Sequence, residues 1–181
     1  MQRINALSLR DITNCALFAA LIVVLAQFSI PLPFSPVPFT GQVLGILLTI
    51  MVLERKVAFL AVFSYILLGA AGAPVFSMAR GGLFMLLGPT GGYLWGFIPA
   101  VLIGGRIIEI KPKPSYFHAT LAALCALLAV YLCGVTQLMI VLHYNLRQAF
   151  SLGVLPFIFF DIIKAYLAIV LGINIRKQLR G

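Results

Sequence analysis

The sequence predicts an all-α membrane protein: six transmembrane helices with both termini in the cytoplasm. Three observations carry this. Hydrophobic residues make up 62% of the chain and charged residues 9%, whereas a soluble domain is nearer half apolar and a quarter charged, so the surplus apolar area must face lipid. The 181 residues hold about six crossings of ~20 residues with short connections, as one integral membrane domain over 1–181 with no room for a soluble catalytic domain. Lysine and arginine fall almost wholly on one side of that arrangement.

The elements follow from the breaks in the apolar pattern. No charge occurs between Asp11 and Glu54, a stretch too long for one helix. Pro31, Pro33, Pro36 and Pro38 interrupt it, since proline cannot continue a helix. The first segment is therefore expected over 12–30 and the second over 40–53. The second is short for a span, which implies tilt or an end tucked into protein. Glu54, Arg55 and Lys56 make a polar turn, and the third segment covers 57–72. Residues 73–92 are rich in glycine and proline and read as irregular. The fourth segment covers 93–105, a polar loop runs over 106–116, and the fifth segment covers 117–137 with room for a turn or two more. Residues 143–153 read as a loop before the sixth segment, 156–175. The first apolar run leads into others, so it reads as a span and not a cleaved leader. No internal repeat of the kind built into many secondary transporters is visible.

Orientation comes from charge. With the N-terminus inside, ten of the thirteen Lys and Arg residues lie on the inner side: Arg3, Arg10, Arg55, Lys56, Arg106, Lys111, Lys113, Arg176, Lys177 and Arg180. Arg80 and Arg147 lie outside, and Lys164 lies within the sixth segment. The bias predicts cytoplasmic termini and an even number of crossings. The net charge of +9 then reflects orientation and not nucleic-acid binding. The proline-rich break, the glycine-rich region and the 143–153 loop share the outer side, where they could form one cap.

Four groups of residues carry chemistry. Asp161 and Lys164 are three apart on one helix face. Charge in hydrocarbon costs roughly 2.5–3.5 kcal/mol per residue on insertion scales, so a pair there reads as a ligand site, or else as a self-neutralising packing lock. Arg80 precedes two glycines that let backbone approach a ligand, and its guanidinium suits a carboxylate; the plainer alternative is a solvated loop arginine. Gly88-Pro-Thr-Gly-Gly-Tyr-Leu-Trp-Gly-Phe97 breaks regular structure at membrane depth, which is tolerated only where backbone is buried or lines a cavity. Thr90, Tyr93 and Trp95 would supply hydrogen bonds and flat faces there, or Tyr93 and Trp95 would be interfacial belt residues. On the first segment, Ala16, Ala19 and Ala20 allow another helix to approach closely, or simply pack internally. Cys15, Cys125 and Cys133 lie in apolar runs without a C-x-x-C spacing and read as packing residues. His118 and His143 read as interfacial. No metal site, cofactor motif, catalytic motif or nucleotide-binding loop is present, so uphill transport would need a partner or an ion gradient.

Pro36-Val-Pro-Phe-Thr-Gly-Gln42, Gly69-Ala-Ala-Gly-Ala-Pro-Val-Phe76, Arg80-Gly-Gly82, the Gly88–Phe97 block and Asp161-x-x-Lys164 resemble the BioY family, the biotin-specific substrate-capture (S) components of energy-coupling-factor (ECF) transporters. The resemblance runs from about Pro36 to Phe97 and resumes in the sixth segment. It implies an S-component-like bundle in a bacterial cell membrane that is not an enzyme. The resemblance further implies biotin capture near the outer face and partnership with a transmembrane coupling (T) subunit and two cytoplasmic ATPases. Ligand contacts are implied at Gln42, Arg80, Tyr93, Asp161 and Lys164, and coupling-subunit contacts at Ala16 and Ala20. The residues themselves leave open another vitamin, an intramembrane enzyme using Asp161 and Lys164, or a structural assembly subunit.

Overall fold

The structure is a computed structural model that describes residues 7–111 and 115–180; Arg3, Lys113 and the side chain of Arg180 lie outside that description. The described chain is helical, with helices α1 (Leu9–Gln27), α2 (Gln42–Val52), α3 (Arg55–Ala70), α4 (Leu83–Leu87), α5 (Gly91–Ile108), α6 (Tyr116–Leu142), α7 (Leu146–Gly153) and α8 (Leu155–Arg180). Among the described residues, α1, α5, α6 and α8 are long and apolar enough to cross a membrane. Large side chains such as Leu17, Leu132, Phe159 and Tyr166 stand exposed along them, as a lipid-facing surface requires.

Helix boundaries differ from the sequence reading for identifiable reasons. Helix α1 starts at Leu9 and not at 12, because Asp11 is the third residue of a capping box. The Ser8 hydroxyl accepts from the Asp11 amide, and the Asp11 carboxylate accepts from the Ser8 amide, satisfying donors that a bare helix start leaves open. It stops at Gln27 because Ser29 and Ile30 (β1) pair antiparallel with Thr40 and Phe39 (β2) across the proline-rich break. Helix α6 continues past 137 to Leu142 because Gln137 turns inward, donating to the carbonyls of Leu86 (2.8 Å) and Gly88 (2.6 Å). The 143–153 loop holds helix α7, opened by an Asn145–Gln148 capping box. The irregular region 73–92 contains a 3-10 turn, Ser77–Ala79, and the short α4.

Close backbone approach builds the bundle. A Cβ on Gly92 would meet the Cys133 carbonyl oxygen at 2.3 Å, and one on Gly96 would meet the Val130 Cα at 2.8 Å, so α5 and α6 pack nearly backbone to backbone. Helix α2 lies inside, with Ile46, Leu47, Ile50 and Met51 at most 1% exposed. At 11 residues it is too short to be stable by itself. It is held along its length by α8. At its start, Lys164 donates to the Thr40 carbonyl at 2.8 Å; at its end, Arg176 Nη1 donates to the carbonyls of Met51 (3.1 Å) and Leu53 (3.3 Å). Arg176, read from sequence as one of the inner charges, is buried at the α2 C-terminus, where it satisfies carbonyls that a helix end leaves open. The neighbouring Arg55–Glu109 pair, with the Arg55 amide donating to Glu109 at 2.7 Å, joins the α2–α3 turn to the end of α5. The ribbon, the 3-10 turn, α4 and α7 gather at the other end.

Candidate functional site

At that second end the helices enclose a cavity of about 60 Å³. Its apolar wall comes from Val43, Phe76, Met85, Leu94, Phe97, Val130 and Phe157; its polar groups are Thr40, Gln42, Ser77, Thr90, Tyr93, Tyr131, Asp161 and Lys164. Mostly apolar walls with a few convergent polar groups are the usual composition of a small-molecule site.

The centre of the chamber is an ion pair inside the bundle. Lys164 Nζ lies 2.8 Å from Asp161 Oδ1, and both side chains are almost fully buried. Their spacing of three residues on α8 brings them together, and other elements complete the set. Tyr131 of α6 donates to Asp161 Oδ2, the Thr40 carbonyl of β2 accepts from Lys164, and the ammonium sits 4.3 Å from the centre of the Phe39 ring. An ammonium carries three donors and a carboxylate about four acceptor sites. After these contacts Lys164 retains one N–H, and Asp161 retains room for further donors. The pair is therefore satisfied at rest, as buried charge must be, and still able to both donate to and accept from a ligand.

Two further polar side chains are held by close packing. Gln42, buried at the start of α2, donates to the hydroxyl of the fully buried Tyr65 at 2.5 Å. Phe76 packs edge-on to Tyr65, with ring centroids 5.5 Å apart. Gly69 is needed beside it, because a Cβ there would fall 2.0 Å from the Phe76 ring. Tyr93 donates to the Gly153 carbonyl at 2.8 Å and lies between two glycines: a Cβ on Gly134 would come within 2.4 Å of its ring, and one on Gly153 within 2.4 Å of its hydroxyl.

The structure thus brings Gln42, Tyr93, Asp161 and Lys164 to one chamber. Arg80 is exposed and lines an adjoining cleft of about 150 Å³ with Pro31, Leu32, Ser35 and Pro36; Pro38, Ser77, Met85 and Thr90 border both spaces. Trp95 faces outward at 45% exposure, with its indole N–H donating to the Leu86 carbonyl at 3.2 Å. Ala16 and Ala20 lie exposed on α1, whereas Ala19 is turned into the core. The sequence reading missed Tyr131, an aromatic in an unbroken apolar run, 30 residues from the carboxylate it meets; no local signal distinguishes it from a packing residue.

Comparison with known proteins identifies the family and the fold. The model of the BioY family matches residues 1–181. A biotin transporter BioY of Thermotoga maritima is 41% identical over 169 residues, covering 93% of this chain and 97% of the relative. A probable biotin transporter BioY of Pyrococcus horikoshii is 41% identical over 163 residues, covering 90% and 94%. The crystal structure of the S component for biotin from an ECF-type ABC transporter superposes with a TM-score of 0.87 at 28% identity, covering 95% of each chain.

Proposed function

The chain belongs to the BioY family, and from that premise we propose that it captures biotin as the substrate-binding membrane subunit of an ECF-type transporter. The observation that carries the ligand assignment is the buried Asp161–Lys164 pair, completed by Tyr131 and the Thr40 carbonyl in a chamber with mainly apolar walls. Biotin offers a ureido group with two N–H donors and one carbonyl acceptor, an apolar ring and tail, and a terminal carboxylate. The ureido N–H groups find an acceptor in Asp161, and the ureido carbonyl finds the remaining N–H of Lys164. Gln42 and Tyr93 contribute further polar contacts, and Phe76, Phe97 and Phe157 cover the ring. The carboxylate extends toward the cleft and meets Arg80, whose fork matches it.

The remaining parts of the reading concern the assembly. Helices α1, α2, α3, α5, α6 and α8 make six crossings of the cell membrane with both termini cytoplasmic, in accord with the charge bias. The chamber then faces outward. A coupling subunit packs along α1 at Ala16 and Ala20, where small side chains allow close approach, and two cytoplasmic ATPases supply the energy. The decisive experiment is equilibrium binding to the purified protein, with biotin and other vitamins as competitors, alongside mass spectrometry of whatever co-purifies. Biotin is expected to bind and to resist competition; displacement by another vitamin at equal concentration would refute the assignment.

A further inference from the structure

Residues 73–82 form a strap between the chamber and the outside. Phe76 and Ser77 line the chamber and Arg80 the cleft beside it. The strap is closed by the Phe76 amide donating to the Arg80 carbonyl at 2.9 Å and is tied to α3 by the Gly82 amide donating to the Gly69 carbonyl at 2.6 Å. Between those ties, Met78 (φ 60°) and Ala79 (φ 53°) stand consecutively in the left-handed region. Glycine occupies this region freely; residues with a Cβ disfavour it by about five- to thirtyfold each. Such conformations persist only where the surroundings hold them.

The end of α1 does the holding. The Met78 amide donates to Ser29 Oγ at 3.0 Å, and the Ala79 amide donates to Gln27 Oε1 at 3.1 Å. The same Gln27 side chain turns its amide nitrogen to its own helix at the Val23 carbonyl (3.1 Å) and to the strap at the carbonyls of Phe76 (3.4 Å) and Val75 (3.5 Å). The two strained amides are thus both captured from α1 and β1, not by the strap itself.

We propose that Gln27 and Ser29 are positioning residues that latch the strained strap over the ligand chamber, and that movement of the outer end of α1 releases it. The inference rests on reading the chamber as the biotin site. Strain gives the latch its direction, because a strap freed from α1 relaxes away from the left-handed conformation without further input. It also joins the two faces of α1: the helix that presents Ala16 and Ala20 outward ends in the side chain that holds the lid. A partner that tilts α1 would open the chamber without touching it.

The test measures radiolabelled-biotin dissociation from the purified full-length protein in nanodiscs, with hydrogen exchange of the strap amides in ligand-free protein as a second readout. Ser29→Ala removes one anchoring bond and should speed dissociation and exchange about three- to tenfold; Gln27→Leu removes the Ala79 anchor together with the bonds to the Phe76 and Val75 carbonyls and should speed them at least as much. Ser29→Thr keeps the hydroxyl and should remain near the parent. Met78→Gly removes strain and should slow both by about fivefold. A residue that merely supports the fold would not give opposite signs on opposite sides of the same hydrogen bonds. Rates that move in one direction for all variants, or not at all, overturn the latch. If exchange shifts as expected but the parent binds no biotin, the ligand assignment fails and the latch stands.

Discussion

Replacing Asp161 separates the binding role proposed for its carboxylate from its structural one. In the structure it neutralises Lys164 at 2.8 Å and accepts from Tyr131. Asp161→Ala removes both contacts and leaves a buried ammonium on the Thr40 carbonyl and the Phe39 face. Breaking a buried pair from one side costs about 3–5 kcal/mol, and the contacts that remain place the expected loss at the lower end. At about 2–4 °C per kcal/mol for a chain of this size, Tm should fall by roughly 6–12 °C. Asp161→Asn is the more informative change: the amide oxygen still accepts from Tyr131, while the charge and the acceptor facing Lys164 are lost. A hydrogen bond to a charged group contributes about 1.5–3 kcal/mol, so the Kd for biotin should rise roughly 10- to 150-fold. Titration calorimetry in nanodiscs gives the affinity, and thermal unfolding of the same preparations gives the stability. If Asp161→Asn binds biotin as tightly as the parent while Asp161→Ala loses stability, the carboxylate is a packing lock and the ligand lies elsewhere.

Three other outcomes test separate parts of the reading. Gly134→Ala pushes a methyl into the Tyr93 ring; overpacking of this kind costs about 1–3 kcal/mol, and biotin affinity should fall along with Tm, whereas an unchanged Kd would remove Tyr93 from the ligand contacts. Arg80→Ala should weaken biotin by roughly tenfold and leave a biotin amide unaffected, with Arg80→Lys intermediate because it keeps charge and loses the fork; equal losses on acid and amide would end the carboxylate role. Ala16→Trp and Ala20→Trp should abolish co-purification of the coupling subunit with biotin affinity intact, while Ala19→Trp, aimed into the core, should destabilise the protein itself. Retained docking with tryptophan at both exposed positions would return the alanines to plain surface.

What was legible in the sequence was what composition and local spacing control. Apolar length and proline breaks mark the main helices, and the i, i+3 spacing marks Asp161 and Lys164 as neighbours. The misplaced start of the first helix comes from reading a polar residue as a boundary, whereas Asp11 caps that start from within the helix. The Asn145–Gln148 box that opens α7 was present in the sequence, but the helix is too short to show an apolar period. Tyr131, Tyr65 and Gln27 could not be read at all, since each acts on a partner distant in sequence and brought close only by the fold. Arg176 illustrates the opposite difficulty: counting it as a cytoplasmic charge gives no hint that it is buried under the end of another helix.

That arginine has a consequence for how this protein can vary. Lys164 and Arg176, twelve residues apart on α8, grip the backbone at Thr40, two residues before α2, and at Met51 near its end, eleven residues further on. Along a helix twelve residues rise about 18 Å, so the two chains run side by side in matched register, like a ruler laid against the object it measures. A single inserted or deleted residue inside α2 would turn everything beyond it by about 100° and slide it about 1.5 Å. Either Thr40 would leave the chamber or the far turn would leave Arg176. Length polymorphism among relatives should therefore collect in the connections, above all the 106–116 and 143–153 segments, and be absent between Thr40 and Leu53.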